Sequence, residues 1–158
     1  MIRVAIVEDN EIEANQLLYC LKTYEKEYKQ VFDVSIFNNS KHFFERINEK
    51  YDMVFMDIKL PDMNGIKAAG VLRNYDKNVV IIFVTHMAQY AINGYEVNAL
   101  DYIVKPVIYK ELLLKIKKAI GIIKANQEME LLIVQKGNLL RISTKKLVYI
   151  EVSGHTLT

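Results

Sequence analysis

Five polar side chains that can bind or transfer phosphate follow apolar runs of the chain. Glu8 and Asp9 come directly after the first run, Asp57 ends the third, Thr85 ends the fourth and Lys105 ends the fifth. If these runs are neighbouring strands, three carboxylates converge, and each pair near 4 Å costs roughly 4 kcal/mol at an effective dielectric of 20. Such a cluster needs a cation or a proton. Because the ligands are all oxygens, with no Cys or His beside them, magnesium (Mg²⁺) is the expected ion.

The same set predicts a phosphoryl acceptor. A carboxylate beside Mg²⁺, an ammonium and a hydroxyl suits this transfer, which depends on positioning and on neutralising the charge of the phosphoryl oxygens. Asp57 is the expected nucleophile, with Lys105 and Thr85 each binding one phosphoryl oxygen. Glu8 and Asp9 are expected to hold the metal, Glu8 through a water molecule.

Strands and helices alternate along the part of the chain that carries these residues. Short β-branched runs predict five strands. The predicted strands are Ile2 to Val7, Phe32 to Phe37, Met53 to Met56, Val79 to Val84 and Leu100 to Val104. Apolar residues at helical spacing predict five helices between and after them. These are Glu11 to Tyr28, a helix that Asn39 or Ser40 caps and that runs through Ile47, Ile66 to Arg73, Ala88 to Gly94, and Tyr109 to Lys124.

The alternation predicts an α/β fold with a parallel, doubly wound sheet. The third and fourth runs are apolar at nearly every position, as expected where helices cover both faces of a sheet. Such sheets bind ligands beyond the carboxyl ends of their strands, where the strand order reverses. At the start of the first helix, we expect Asn10 to act as the N-cap and Glu13 to bond back to it.

Composition excludes several classes of protein. The 158 residues include 21 Lys and Arg against 19 Asp and Glu, a net charge of +2 that argues against a surface wholly committed to nucleic acid or acidic lipid. Cys20 is the only cysteine, so no intrachain disulfide is expected. No apolar run approaches the ~20 residues that span a bilayer, and the first residues carry no signal-peptide pattern. We therefore expect a cytoplasmic protein without a membrane segment.

Residues 1 to 122 resemble the receiver domain of two-component response regulators. The resemblance rests on IVEDN at 6 to 10, MDIKLPDMNG at 56 to 65, VTH at 84 to 86 and ALDYIVKP at 99 to 106. It implies a flavodoxin-like sheet of strand order 2-1-3-4-5 and phosphorylation of Asp57 by a sensor histidine kinase. It also implies a phosphoprotein that loses its phosphoryl group slowly and is not otherwise an enzyme.

The resemblance implies further roles at single residues. The backbone carbonyl of Lys59 joins the metal ligands, and the peptide before Pro106 is cis. Thr85 and Tyr102 act as a switch, in which the hydroxyl moves toward the phosphate and the aromatic ring turns inward. His86 departs from the family pattern, since a small residue usually follows the Thr. We expect its larger side chain to obstruct water or a phosphatase.

The remaining residues resemble the opening of a second domain. Residues 123–130 are predicted to be a linker, and 131–158 are β-hairpin sequence similar to the N-terminal strands of a LytTR-type DNA-binding domain. This resemblance implies a transcription regulator that contacts DNA only through its complete output domain. The receiver resemblance implies a homodimer through helix 4, strand 5 and helix 5 of the predicted order.

Three other functions stay open on the residues alone. A Mg²⁺-dependent aspartyl phosphatase also places an Asp at a strand end, but it needs a second Asp two residues later, where this chain has Lys59. An FMN-binding flavodoxin needs a Ser/Thr-rich loop after the first strand, where this chain has the acidic EDNEIE. A phosphate-independent interaction module would be expected to have a broken acid cluster, whereas this one is intact.

Overall fold

Five parallel strands form the central sheet of the computed structural model. The structure describes residues 1–87, 89, 96–127, 130–135, 138–143, 152–153 and 156–157. The strands are β1 (Ile2–Val7), β2 (Phe32–Phe37), β3 (Met53–Met56), β4 (Val80–Thr85) and β5 (Asp101–Val104). Their order is β2-β1-β3-β4-β5. This confirms the predicted α/β class and strand order, with the reversal point between β1 and β3.

The burial of each strand follows its place in the sheet. Every residue of β3 and β4 is buried, whereas the edge strand β2 buries only its two terminal phenylalanines. Full burial explains why the central runs contain no polar residue until their carboxyl ends. Parallel pairing puts all of those ends on one edge of the sheet, the site rim.

The first helix, α1 (Glu11–Tyr28), begins at the site rim. The Asn10 side chain accepts hydrogen bonds from the backbone N–H groups of Ile12 and Glu13, and the helix ends at Lys29 in the left-handed conformation. The predicted cap is therefore correct. The apolar spacing of this helix would put Ile12 on its buried face, but Ile12 is 80% exposed and Ala14 is buried instead.

The next two helices follow β2 and β3. Helix α2 (Ser40–Glu45) is followed by a 3-10 turn at Ile47–Glu49, so the predicted second helix is broken before Ile47. Helix α3 (Gly65–Tyr75) is capped by Asn64. The backbone N–H groups of Ser40 and Lys41 donate to the Asp62 carboxylate. That carboxylate attaches the loop before α3 to the start of α2.

The last helix within the described residues, α4 (Tyr109–Gln127), is the fifth predicted helix. It continues three residues beyond the predicted end at Lys124, into the segment predicted to be a linker. The fourth predicted helix, Ala88 to Gly94, lies outside the described residues apart from position 89. None of the helices in the described ranges is both long and apolar enough to cross a membrane.

The chain divides into two compact units, residues Met1–Gly121 and Ile122–Thr158. The second unit contains the end of α4 and an antiparallel pair formed by β6 (Glu130–Gln135) and β7 (Asn138–Ser143). Two short strands follow, β8 (Val152–Ser153) and β9 (Thr156–Leu157). The predicted β-rich segment is thus present, while its residues 144–151 lie outside the described residues.

Candidate functional site

Backbone hydrogen bonds continue the sheet one residue past the strand ends. The Glu8 N–H donates to the Phe37 carbonyl over 2.8 Å, and the Asp57 N–H donates to the Val7 carbonyl over 2.9 Å. On the far side of the sheet, the Lys105 N–H donates to the Thr85 carbonyl over 3.0 Å. These bonds fix the backbones that carry the functional side chains, so the side chains meet at the site rim.

An acidic cluster lies at the reversal point of the strand order. Carboxylate oxygens of Glu8, Asp9 and Asp57 lie within 4.8 Å of one another. Glu8 and Asp57 are each 6% exposed, and Asp9 is exposed. Burial raises the pKa of Glu8 despite its hydrogen bond from Lys105. Clustered carboxylates with one face open to solvent match the oxygen donors of a hard divalent cation, so these residues fit Mg²⁺.

The Lys105 ammonium lies among three carboxylates. Its Nζ donates to Asp57 Oδ2 over 2.9 Å, to Glu8 Oε2 over 2.5 Å and to Glu13 Oε2. The side chain is only 3% exposed. Burial alone would lower the pKa of Lys105, but the hydrogen bonds to Glu13, Glu8 and Asp57 outweigh it and raise that pKa. Lys105 is therefore a fixed positive charge beside the Asp57 carboxylate.

Glu13 is a site residue that the sequence interpretation placed wrongly. We expected it to bond back to the backbone of Asn10, but the Asn10 N–H donates to Glu8 Oε1 over 3.0 Å. The Glu13 carboxylate instead binds Lys105 and lies 2.8 Å from His86 Nε2. Although burial opposes it, hydrogen bonds from Lys105 and His86 lower the pKa of Glu13. The sequence does contain a signal for this role: Glu13 lies one helical turn after the acid pair Glu8 and Asp9. Its partner His86 is the residue that departs from the family pattern.

Thr85 and Tyr102 are joined through one residue. Thr85 is 1% exposed, and its Oγ1 accepts the Met87 N–H over 3.3 Å. The Tyr102 hydroxyl donates to the Met87 carbonyl oxygen. Burial raises the pKa of Tyr102, with a further contribution from the charge of Asp57. The two predicted switch residues therefore share a backbone partner at the end of β4.

The loop after β3 wraps closely around Asp57. The Lys59 N–H donates to Asp57 Oδ1 over 3.1 Å, and the Gly65 N–H donates to the Ile58 carbonyl over 2.8 Å. A Cβ atom at Gly65 would lie 2.0 Å from the Asp57 carbonyl oxygen. The position therefore requires glycine, a role that we did not predict although Gly65 ends the MDIKLPDMNG motif. At the end of β5, the peptide bond between Lys105 and Pro106 is cis.

Known proteins resemble the first unit of this chain. Residues 4–117 match the family model described as the response regulator receiver domain. The chain is 33% identical over 118 residues to the sensory transduction protein LytT of Bacillus anthracis, covering 75% of this chain and 47% of LytT. It is 30% identical over 126 residues to the transcriptional regulatory protein LytR of Staphylococcus aureus, covering 79% of this chain and 48% of LytR.

A solved structure supports the same assignment. The CheY-like response regulator receiver domain protein from Methanospirillum hungatei JF-1 superimposes with a TM-score of 0.67 and 27% identity, covering 79% of this chain and 98% of that protein. The chain spans about half the length of the curated relatives it matches. Because the family model covers residues 4–117, most of the chain, this protein belongs to the response regulator receiver family.

Proposed function

We propose that this chain is a phosphoacceptor response regulator in which a sensor histidine kinase phosphorylates Asp57. One observation carries the proposal: the nearly buried Asp57 carboxylate lies between a buried lysine and two further acids. In the proposed site, Glu8, Asp9, Asp57 and the backbone carbonyl of Lys59 would hold Mg²⁺. The bound ion would neutralise charge on the phosphoryl oxygens.

The proposed reaction is an in-line transfer to the Asp57 carboxylate. A carboxylate oxygen attacks the phosphorus atom of the kinase's phosphohistidine, the P–N bond breaks, and its electron pair stays on the imidazole nitrogen. The product is an acyl phosphate at Asp57. Lys105 is positioned to bind one phosphoryl oxygen, and the Thr85 hydroxyl would bind another after leaving Met87.

The proposed switch is the pair of Thr85 and Tyr102. Phosphorylation adds about two negative charges at Asp57. To change a population from 1:99 to 99:1, it must favour the active state by about 5.5 kcal/mol. Movement of Thr85 toward the phosphoryl group would break its bond with Met87, the residue that also binds Tyr102. This shared partner supports a coupled movement of the two side chains.

The proposed output is transcription control through a LytTR-type DNA-binding domain. We assign 1–122 to the receiver, 123–130 to the connecting segment and 131–158 to the start of the output domain. The relative LytR is a transcriptional regulatory protein, which supports this assignment. DNA contact would require the complete output domain, and the regulator would act in the cytoplasm.

The proposed dimer forms through three elements. They are the fourth predicted helix, Ala88 to Gly94, the strand β5 and the helix α4. The predicted helix 4 lies largely outside the described residues, but exposed apolar side chains on β5, on α4 and in the segment between them support the proposal. Val104 is 47% exposed, Ile108 is 53% exposed and Leu114 is 69% exposed. Removing such a surface from water would contribute part of the free energy that the switch requires.

Mass spectrometry of the intact protein tests the proposed function. After incubation with acetyl phosphate, we expect a gain of one phosphoryl group that requires Mg²⁺ and is absent from Asp57→Asn. Asp33→Asn, at the exposed edge strand, is the matched control and should behave as wild type. No gain in a wild-type protein that binds Mg²⁺ would favour a phosphate-independent interaction module. Repeated turnover of small phosphate esters would favour the aspartyl phosphatase.

A further inference from the structure

We propose that Glu13 is a positioning residue of the phosphoacceptor site, whose carboxylate must release the Lys105 ammonium before a phosphoryl group can bind it. His86 holds the Glu13 carboxylate in this competing position. The inference rests on the proposed function of Asp57. It adds a residue of α1 to the set that controls phosphorylation.

The orientation of Glu13 follows from its neighbours. A glutamate at position 13 could accept a hydrogen bond from the Asn10 N–H, but that N–H already donates to Glu8 Oε1. The Glu13 side chain is therefore available to lie over the rim, with one carboxylate oxygen on Lys105 Nζ and the other on His86 Nε2. Its side chain is 25% exposed, so most of the carboxylate is shielded from water.

The hydrogen bonds of Lys105 show why Glu13 must be released. An ammonium has three N–H donors, and those of Lys105 are matched by Glu8, Glu13 and Asp57. A new phosphoryl oxygen at Asp57 can bind Lys105 only if one acceptor leaves. Glu8 is nearly buried and is also fixed by the Asn10 N–H. Asp57 is likewise nearly buried and is held by the Lys59 N–H. Glu13, whose side chain is the most exposed of the three, is the acceptor that can move.

The charge of Glu13 predicts a dependence on the phosphoryl donor. Two oxygens that bind the same ammonium lie within about 6 Å of each other, so the negative charge of Glu13 acts directly on an anion approaching Asp57. The opposition grows with the charge of the donor. Acetyl phosphate carries one more negative charge than phosphoramidate at neutral pH, so Glu13 should slow its reaction more.

The test compares Glu13→Gln with wild type in the full chain. Glutamine keeps the shape and one acceptor oxygen but removes the charge. With Mg²⁺ present, we expect acetyl phosphate to phosphorylate Glu13→Gln about tenfold faster, the effect of one charge ~6 Å away at a dielectric between those of water and a protein surface. The gain with phosphoramidate should be smaller. Glu11→Gln removes a charge from the same helical turn and is the control, since Glu11 makes no hydrogen bond to Lys105 within the described residues.

A double-mutant cycle tests the part played by His86. If His86 acts by holding Glu13, His86→Ala should also accelerate phosphorylation, and the double variant should match Glu13→Gln alone. Additive effects would show that His86 acts separately, for example by blocking access, and would overturn this part of the proposal.

The outcomes separate the inference from the proposed function. If wild type gains no phosphoryl group from either donor, both fail. If wild type is phosphorylated at Asp57 but Glu13→Gln reacts at the same rate or more slowly, or gains equally with the two donors, only the role of Glu13 is refuted. A structural role for Glu13 would not produce a gain that depends on donor charge.

Discussion

Replacing Lys105 by Met should strengthen Mg²⁺ binding while weakening phosphorylation. The Lys105 Nζ lies 2.9 Å from Asp57 Oδ2 and 2.5 Å from Glu8 Oε2. A divalent ion bound ~2.1 Å from Asp57 Oδ2 would lie up to about 5 Å from this nitrogen. At that separation, the repulsion between charges of +1 and +2 is about 1.7 kcal/mol in bulk water and about 6.6 kcal/mol at a dielectric of 20.

Because the acidic cluster opens to solvent at Asp9, the lower end of this range is the appropriate one. A gain of about 2 kcal/mol corresponds to roughly 30-fold tighter Mg²⁺ binding. Phosphorylation of Asp57 should fall by about 10²-fold or more, because the phosphoryl oxygens lose a positioned donor. The two effects have opposite signs, which general damage to the fold would not produce.

Isothermal titration calorimetry with Mg²⁺ at pH 8 measures the first effect, and intact mass after acetyl phosphate treatment measures the second. The alkaline pH matters because burial already raises the pKa of Glu8, and loss of Lys105 will raise it further and let protons compete with the metal. Lys115→Met, which removes a lysine paired with Asp101, is the control and should leave both quantities unchanged. A folded Lys105→Met protein with unchanged or weaker Mg²⁺ affinity would refute the electrostatic reasoning.

Three further predictions concern the scaffold of the site. Gly65→Ala should abolish phosphorylation and lower the melting temperature, because the added Cβ meets the Asp57 backbone; a fully active variant in the mass assay would contradict the close approach. Asp62→Ala should cost about 1–2 kcal/mol in urea unfolding, because two N–H groups at the start of α2 lose their acceptor, whereas Asp62→Asn should recover part of the loss. Burial opposes it, but the hydrogen bond from Lys115 lowers the pKa of Asp101 in the folded protein. The pair therefore stabilises the fold at pH values above the unfolded pKa of ~3.9, and this contribution is lost as the pH falls through the lower pKa of the folded state. The unfolding cost of Lys115→Met should therefore be about 1 kcal/mol at pH 7 and should disappear once the pH falls below the folded pKa of Asp101.

The strands were predictable because polar residues mark their carboxyl ends at the site rim. Apolar runs end at a charged or hydroxyl residue, and parallel pairing turns those separate positions into one edge of the sheet. This explains why Glu8, Asp9, Asp57 and Lys105 could be grouped before the fold was known. The continuation of α4 to Gln127 was missed because the polar residues after Lys124 read as a linker, although none of them is a helix breaker.

Glu13 could not be placed from local sequence alone. Its spacing from Asn10 fits a helix cap. That interpretation fails because the Asn10 N–H donates to Glu8 Oε1 instead. The choice of Glu8 over Glu13 as acceptor depends on the path of the chain between β1 and α1. The position of Glu13 also depends on His86, which the end of β4 places beside it. The requirement for glycine at position 65 is likewise tertiary, since it arises from the approach of α3 to the backbone of Asp57.

Met87 has a consequence for partners that never contact the proposed phosphorylation site. Its N–H binds Thr85 and its carbonyl binds Tyr102, so the positions of the two hydroxyls are linked through the backbone of one residue. Thermodynamic coupling between two sites is reciprocal. If phosphorylation changes the preferred position of Tyr102 by some factor, a protein that binds one position of Tyr102 changes the phosphorylation equilibrium of Asp57 by the same factor. The concentration of such a partner would then help to determine the fraction of the protein that is phosphorylated at Asp57.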